Sequence, residues 1–397
     1  MERLMNITPI KQKSDRTSDI NFLNESNVRK IQSFHASFPM YQETPLISLS
    51  NLAKDLNIRG LYVKDESFRF GLNAFKVLGG SYAAGRYIAQ KLQVEISELP
   101  FNKLTSNAVR KQLGKITFVT ATDGNHGRGV AWTARQLQQK AVIYMPKGTK
   151  PERLLNIKKE GAESYILNRC YDDAVRYAQQ QSLEQGWVLM QDTMLHNYHE
   201  IPQWIMEGYG TMALEIYRQM PVRPTHIFLQ SGVGSMAGAV TAFFSNMYRG
   251  NEKPIVVVVE PENAACIFLT AQMADGKLHA ATGNLDTIMA GLACGEPCSL
   301  AWDILESYAD FALICDDDVS TTGMRLLAKP RIGDTRIVSG ESGAVTTGVV
   351  AKLLSNENGY ASLKEALRLD KDSVILCIST EGATDSENYE KVTGQIP

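Results

Sequence analysis

Thr225-His226-Ile227-Phe228-Leu229-Gln230-Ser231-Gly232-Val233-Gly234-Ser235-Met236-Ala237-Gly238 decides how this 397-residue chain folds. The apolar run reads as a strand and the Ala/Gly-rich segment after Ser235 as a helix, so the glycines occupy the turn between them. Backbone N–H groups in such a turn, with the positive end of the helix it opens, converge on one anion. That is the arrangement of a phosphate cradle. Gly232, Gly234 and Ala237 nearly satisfy the dinucleotide fingerprint G-x-G-x-x-G/A, and Glu260 ends the next strand where a ribose-binding acid would stand. A nicotinamide-dependent oxidoreductase, a site for a simpler phosphate and a bare turn without ligand all remain open on these residues.

Outward from this unit, strands and helices alternate. Strands are expected at 116–120, 141–145, 164–167, 187–191, 225–230, 255–260 and 373–378. Helices are expected from about Arg128 to Gln139, from Pro151, over 171–184 and near 211–219. Such spacing means βαβ units and a parallel sheet. Towards the N-terminus, residues 1–40 read as a polar, irregular arm, followed by a short helix at 49–56, a strand at 61–63 and a helix from Gly80 to about Leu92. Residues 93–115 read as a helix and connection. The length exceeds what one hydrophobic core usually serves, so two lobes are expected.

Composition narrows the function classes. Hydrophobic residues make up 44% and charged residues 21%, as in ordinary globular proteins. Lys and Arg total 41 against 43 Asp and Glu, a net charge of -2 without a basic stripe, so nucleic acid is not an expected partner. No apolar run is long enough to span a bilayer and the first residues do not read as a signal peptide, which predicts a cytoplasmic protein with no membrane partner. Six scattered cysteines predict reduced thiols, with pairing among Cys266, Cys294 and Cys298 left open. His196 and His199 lack a clear third ligand, so no metal is expected.

Three stretches carry candidate chemistry. Gly71-Leu72-Asn73-Ala74-Phe75-Lys76-Val77-Leu78-Gly79-Gly80-Ser81 places a lysine at a helix mouth. Desolvation and the helix dipole there would lower its pKa towards a nucleophilic amine able to form a Schiff base. A solvated loop lysine is the plainer reading of the same residues. Asp123-Gly124-Asn125-His126-Gly127 links a strand to a helix, at the sheet edge where ligands bind. Asn125 can donate through its amide. His126 is a candidate base, although a histidine at a helix start more often caps or packs. Asp123 and Asp192 follow two strand ends and can face one pocket, or each can serve as a helix N-cap.

Taken together, Asn73-Ala74-Phe75-Lys76, Thr122 to Gly127, Ser231 to Ser235 and the last strand leading into Ser379-Thr380-Glu381-Gly382 resemble fold-type II pyridoxal-phosphate enzymes. Within that group the chain most resembles the diaminopropionate ammonia-lyases, through Gly71 to Lys76, Asp123 to Gly127 and Gln191-Asp192-Thr193. Serine and threonine dehydratases typically carry Ser-Phe-Lys and Ser-Ser-Gly-Asn-His at the first two places. This chain has Ala74 and Asp123 there.

The resemblance implies a two-lobed, tryptophan synthase β-like α/β fold with mostly parallel sheets flanked by helices. It divides the chain into a large cofactor-binding domain of residues 1–85 plus 205–397 and a smaller α/β domain of residues 86–204. It implies that pyridoxal 5'-phosphate is held by Lys76 as a Schiff base, with its phosphate on Gly232, Val233, Gly234, Ser235 and Met236. Asn125 would meet the ring oxygen and Thr380 the pyridine nitrogen, with Ser379 as second choice. The expected reaction is elimination of ammonia from 2,3-diaminopropionate, giving pyruvate and two ammonia. Asp123 would be the base for the D-isomer and Asp192 for the L-isomer. A serine/threonine dehydratase is the nearest alternative, and a homodimer is the expected assembly.

Overall fold

In the computed structural model, residues 5–10, 18–194, 198–355 and 359–397 are described. Eleven strands appear among them: β1 (Met5–Pro9), β2 (Leu46–Ser48), β3 (Gly60–Asp65), β4 (Thr117–Ala121), β5 (Lys140–Met145), β6 (Glu163–Ile166), β7 (Val188–Leu189), β8 (His226–Gln230), β9 (Ile255–Pro261), β10 (Phe311–Cys315) and β11 (Val374–Ser379). They form a seven-stranded sheet ordered β1-β10-β9-β8-β11-β3-β2 and a four-stranded sheet ordered β6-β5-β4-β7. All pairs are parallel except the outer two of the large sheet, β1 with β10 and β2 with β3.

Parallel strands need crossovers, and here the crossovers are helices that cover both faces. The burial of β8 shows the result. Ile227 and Leu229 enter one apolar cluster and Phe228 the other, the two-residue period of a strand with packing on either side. In β9, Val256 and Val258 separate from Val257 and Val259 in the same way. The first cluster also contains Val119 of β4 and Ile143 of β5, so one core is continuous between the two sheets.

Helices set the distance between the sheets. The helix Val77–Leu92 packs on the helices Asn125–Gln136 and Glu200–Gln219. A Cβ on Gly129 would lie 2.9 Å from the Cα of Val77, so only glycine lets the Asn125–Gln136 helix approach this closely. That approach brings the loop after β4 beside Lys76.

Several expectations change. The described part of residues 1–40 is not an irregular arm: β1 pairs with β10, and Glu25–Ala36 is a helix whose Val28, Ile31, Phe34 and His35 are buried. Asn24 caps it by accepting from the Asn27 N–H. The helix after Lys76 begins at Val77 rather than Gly80, with Lys76 itself at the N-cap position. The helix expected near 211–219 begins at Glu200. Strands β2 and β10 were not anticipated. Among the described residues no helix is long and apolar enough to cross a membrane.

Candidate active site

Strand ends from both sheets deliver the site. The cavity is lined by Lys76, by Asp123, Asn125 and His126 after β4, by Asp192 after β7, by Ser231 to Ala237 after β8, and by Thr380 and Glu381 after β11. Each loop follows the carboxyl end of a parallel strand, where the topology leaves room for a ligand. The sequence-predicted residues Lys76, Asp123, Asp192, Asn125, Gly232, Val233, Gly234, Ser235, Met236 and Thr380 all lie on this one cavity.

The cradle has the form expected of an anion site. Gly234 takes φ +99°, a left-handed conformation that favours glycine, and the helix Ser235–Met247 starts immediately after it. The first N–H groups of that helix have no partner within it and point towards the turn. A Cβ on Gly232 would sit 3.0 Å from Cys294 Sγ and 3.3 Å from the Gly291 carbonyl oxygen, so any side chain there would fill the cradle. The Ser235 hydroxyl donates to the Asp192 carbonyl oxygen at 2.6 Å, fastening the cradle to the loop after β7.

Lys76 is ion-paired with Asp192, Nζ to Oδ2 at 2.5 Å. Burial is the largest single influence and disfavours its ammonium, but Asp192, Tyr209 and Asp123 together outweigh it and hold the amine's pKa above the usual lysine range. This corrects the expectation that desolvation and the helix mouth would free the amine. The Asp192 carboxylate that opposes burial lies 116 residues away in sequence. Burial pushes the Asp192 carboxyl up, while Lys76 and His126 pull it further down, to about 2.

His126 packs rather than acting as a free base. Its Nε2 donates to the Met190 carbonyl oxygen at 2.6 Å, its Nδ1 lies 3.9 Å from Asp192 Oδ2, and burial lowers its pKa. Asp123 is not a helix cap. Its Oδ2 accepts from Arg153 Nη1 at 3.2 Å. Burial pushes its carboxyl above the usual range, with Arg153 and Lys76 opposing and Glu381 reinforcing.

Asn125 Nδ2 donates to Glu381 Oε2 at 2.5 Å, which fixes the amide across the two sheets. The Thr380 hydroxyl oxygen accepts from Gln230 Nε2 at 3.1 Å, and its own proton remains available. The Ser379 hydroxyl turns away, donating to Ser339 Oγ at 2.7 Å in a fully buried position.

Glu260 does not face the cradle. It is fully buried and accepts from the Ile267 and Phe268 N–H groups at 2.9 and 2.7 Å, capping the helix Cys266–Met273. A ribose-binding role for it is therefore excluded, and with it the acid of the dinucleotide fingerprint. All six cysteines are free thiols. Among the described residues no group of three or more His, Cys, Asp or Glu is placed to hold a metal, and His196 lies outside the described residues.

Sequence reasoning missed Arg153, Glu381, Gln230, Tyr171 and Cys294, all at the cavity or touching its residues. Gln230 and Glu381 had a legible signal, since each is a polar residue at the end of, or just after, an apolar strand. Arg153, Tyr171 and Cys294 had none, because only the packing of distant segments brings them here.

Residues 38–381 match the pyridoxal-phosphate dependent enzyme family. The chain is 47% identical to the diaminopropionate ammonia-lyase of Salmonella typhimurium over 378 residues, covering 94% of this chain and 93% of that one. It is 46% identical to the diaminopropionate ammonia-lyase of Escherichia coli strain K12 over 371 residues, covering 93% and 91%. The crystal structure of the Escherichia coli enzyme in complex with an aminoacrylate-PLP azomethine reaction intermediate superposes with a TM-score of 0.89 at 43% identity, covering 98% of this chain and 96% of that chain. With its cradle, its lysine and both carboxylates on one cavity, the chain belongs to the pyridoxal-phosphate dependent enzymes, in the diaminopropionate ammonia-lyase family.

Proposed function

We propose that the chain eliminates ammonia from 2,3-diaminopropionate, accepts both the D- and the L-isomer, and yields pyruvate and two ammonia. The observation that carries this reading is one cavity that joins Lys76 and the glycine cradle to two carboxylates on neighbouring strands, β4 and β7.

The residues present fit pyridoxal 5'-phosphate. A Cβ would fill the cradle at Gly232, and the buried Gln230 Oε1 has no hydrogen-bond partner of its own beside Thr380. Lys76 would hold the cofactor's aldehyde carbon, residues Gly232 to Met236 its phosphate, Asn125 its ring oxygen and Thr380 its pyridine nitrogen. Ser379 is the weaker choice, because its hydroxyl is spent on Ser339. When bound, the cofactor supplies an electron sink for the carbanion left by loss of the α-proton.

The side chains divide the proton work. The α-hydrogens of the two isomers leave from opposite faces, so two bases are required. Asp123 takes the proton from the D-isomer and Asp192 from the L-isomer. Asp192 shares its environment with Lys76 at 2.5 Å, so a proton passes between them without rearrangement. An amine is a poor leaving group unless protonated, and a carboxylate nearby keeps the substrate's leaving β-amine as an ammonium ion. Asp123 favours this substrate over the hydroxyl leaving group of a serine or threonine dehydratase, because a charged leaving group gives the carboxylate a partner.

The same reading keeps the division into residues 1–85 plus 205–397 and 86–204, and takes the active form to be a cytoplasmic homodimer, which sedimentation of the purified protein tests. The decisive experiment measures pyruvate release from each isomer. Asp123→Asn lowers turnover of the D-isomer by about 10²- to 10⁴-fold and spares the L-isomer to within about tenfold, and Asp192→Asn does the reverse. Equal losses for both isomers would remove the two-base assignment. One ammonia per pyruvate, with serine preferred, would replace the whole reading by the dehydratase.

A further inference from the structure

The cation that touches Asp123 lies in no motif. Arg153 stands in the first turn of the helix Pro151–Lys159, and its side chain is only 7% exposed. Its Nη1 donates to Asp123 Oδ2 at 3.2 Å and to the Asp123 carbonyl oxygen at 3.5 Å, and its Nη2 donates to the Thr384 hydroxyl at 3.5 Å. A Cβ on Gly124 would lie 3.4 Å from Arg153 Cδ, so the arm runs directly over the loop after β4. The Thr384 hydroxyl donates to Glu381 Oε2 at 3.2 Å, the same oxygen that receives the Asn125 amide. One guanidinium therefore ties the loop that carries Asp123 and Asn125 to the segment that follows Thr380. Asp192 is held by other groups, Lys76 and His126.

We propose that Arg153 is the positioning residue of Asp123, fixing one carboxylate oxygen so that the other faces the substrate, and that it therefore serves turnover of one diaminopropionate isomer and not the other. This rests on the assignment of Asp123 to the D-isomer. A fixed carboxylate presents its free lone pair in one direction, whereas an unpaired one rotates and takes up a proton more readily. Arg153 keeps its own protons throughout. The α-C–H bond breaks, the proton goes to Asp123 Oδ1, and the electron pair stays with the substrate carbon and the electron sink that the cofactor supplies.

The charges around the pair set the sign of a pH readout. Asp123 faces Arg153, Lys76, Glu381, Tyr171 and Cys294, and Arg153 faces Glu381, Asp123, Glu341 and Asp385. With Arg153 gone, Lys76 is the remaining cation on Asp123 while burial and Glu381 still favour its protonated form. The acidic limb of the D-isomer profile then moves to higher pH.

The test compares Arg153→Met, Arg153→Lys and Asp123→Asn as holoenzymes, measuring kcat for each isomer across pH. Arg153→Met is expected to lower kcat for the D-isomer about 30-fold or more and for the L-isomer less than about threefold. Arg153→Lys recovers part of the D-isomer loss, since it restores the charge without the fork, and it carries the test where Arg153→Met does not fold. The acidic limb of the D-isomer profile rises in Arg153→Met and that of the L-isomer stays in place. Equal losses for the two isomers, or an unmoved D-isomer limb, overturn the proposal. A D-selective Asp123→Asn beside isomer-blind Arg153 variants overturns it alone, whereas an isomer-blind Asp123→Asn overturns the assignment of Asp123 and this inference with it.

Discussion

Two lysines of this chain lie in buried ionic clusters, and only one of them faces a cavity. Lys64, on β3, is fully buried. Its Nζ donates to the Thr44 carbonyl oxygen at 2.7 Å and to Gln219 Oε1 at 2.9 Å, and pairs with Glu215 Oε2 at 2.7 Å. Three protons meet three acceptors, and the neighbouring Arg69 is shared between Glu66 and Glu215, so the four charges cancel. Lys76 has 19% of its side chain exposed, pairs with the single carboxylate Asp192 and turns its open side to the cavity. Burial and a carboxylate partner are common to both. What separates a lysine that holds the fold from one that can react is whether its donors are already spent.

The largest effect should come from breaking that contrast at Lys76. Lys76→Ala is expected to lower turnover of both isomers by more than about 10³-fold and to abolish the near-visible absorbance of the lysine-bound cofactor, with the circular dichroism of the fold retained. A variant that keeps the absorbance would mean that another amine holds the cofactor. Lys64→Met should behave in the opposite way. Removing one charge from a closed buried cluster leaves Glu215 short of a partner, at a cost of about 3–5 kcal/mol in denaturant unfolding. The protein that remains folded should keep its kcat for both isomers within about threefold. A large kcat loss in folded Lys64→Met would show that the closed cluster reaches the chemistry, and the distinction would fall.

The same contrast explains what was legible in the sequence. Lys76, Asp123, Asn125, the cradle and Thr380 sit at the ends of strands, where the alternation of strand and helix fixes their position along one sheet edge. Their convergence follows from topology. Lys64, Arg69, Glu66 and Glu215 could not be read as a cluster, because Glu215 is over a hundred residues from the others and meets them only through packing of the Glu200–Gln219 helix. Arg153 was hidden for the same reason. The raised pKa of Lys76 was hidden because Asp192, Tyr209 and Asp123, all distant in sequence, together oppose local desolvation. β1 was hidden because an antiparallel edge strand stands outside the strand-helix alternation.

Glu260 sharpens the comparison with the smallest effect, since it is a closed site without any cation. Its carboxyl accepts two backbone N–H groups, and Cys266 Sγ lies 3.7 Å from Oε1. Burial nevertheless wins and pushes its pKa up to about 8, against an ordinary value of 4.5. A carboxyl whose folded pKa is raised contributes stability that is complete below the unfolded value and is lost as pH rises through the folded one. The wild-type protein should therefore lose up to about 1.4 kcal/mol per pH unit from this group between those two values. Glu260→Gln, which is neutral at every pH, should remove that slope while leaving the kcat of both isomers within about twofold. Denaturant unfolding measured across the window checks it: an unchanged slope in Glu260→Gln would mean that the two N–H donors hold the carboxylate ionised, and that hydrogen bonds alone can close a buried charge without a cation.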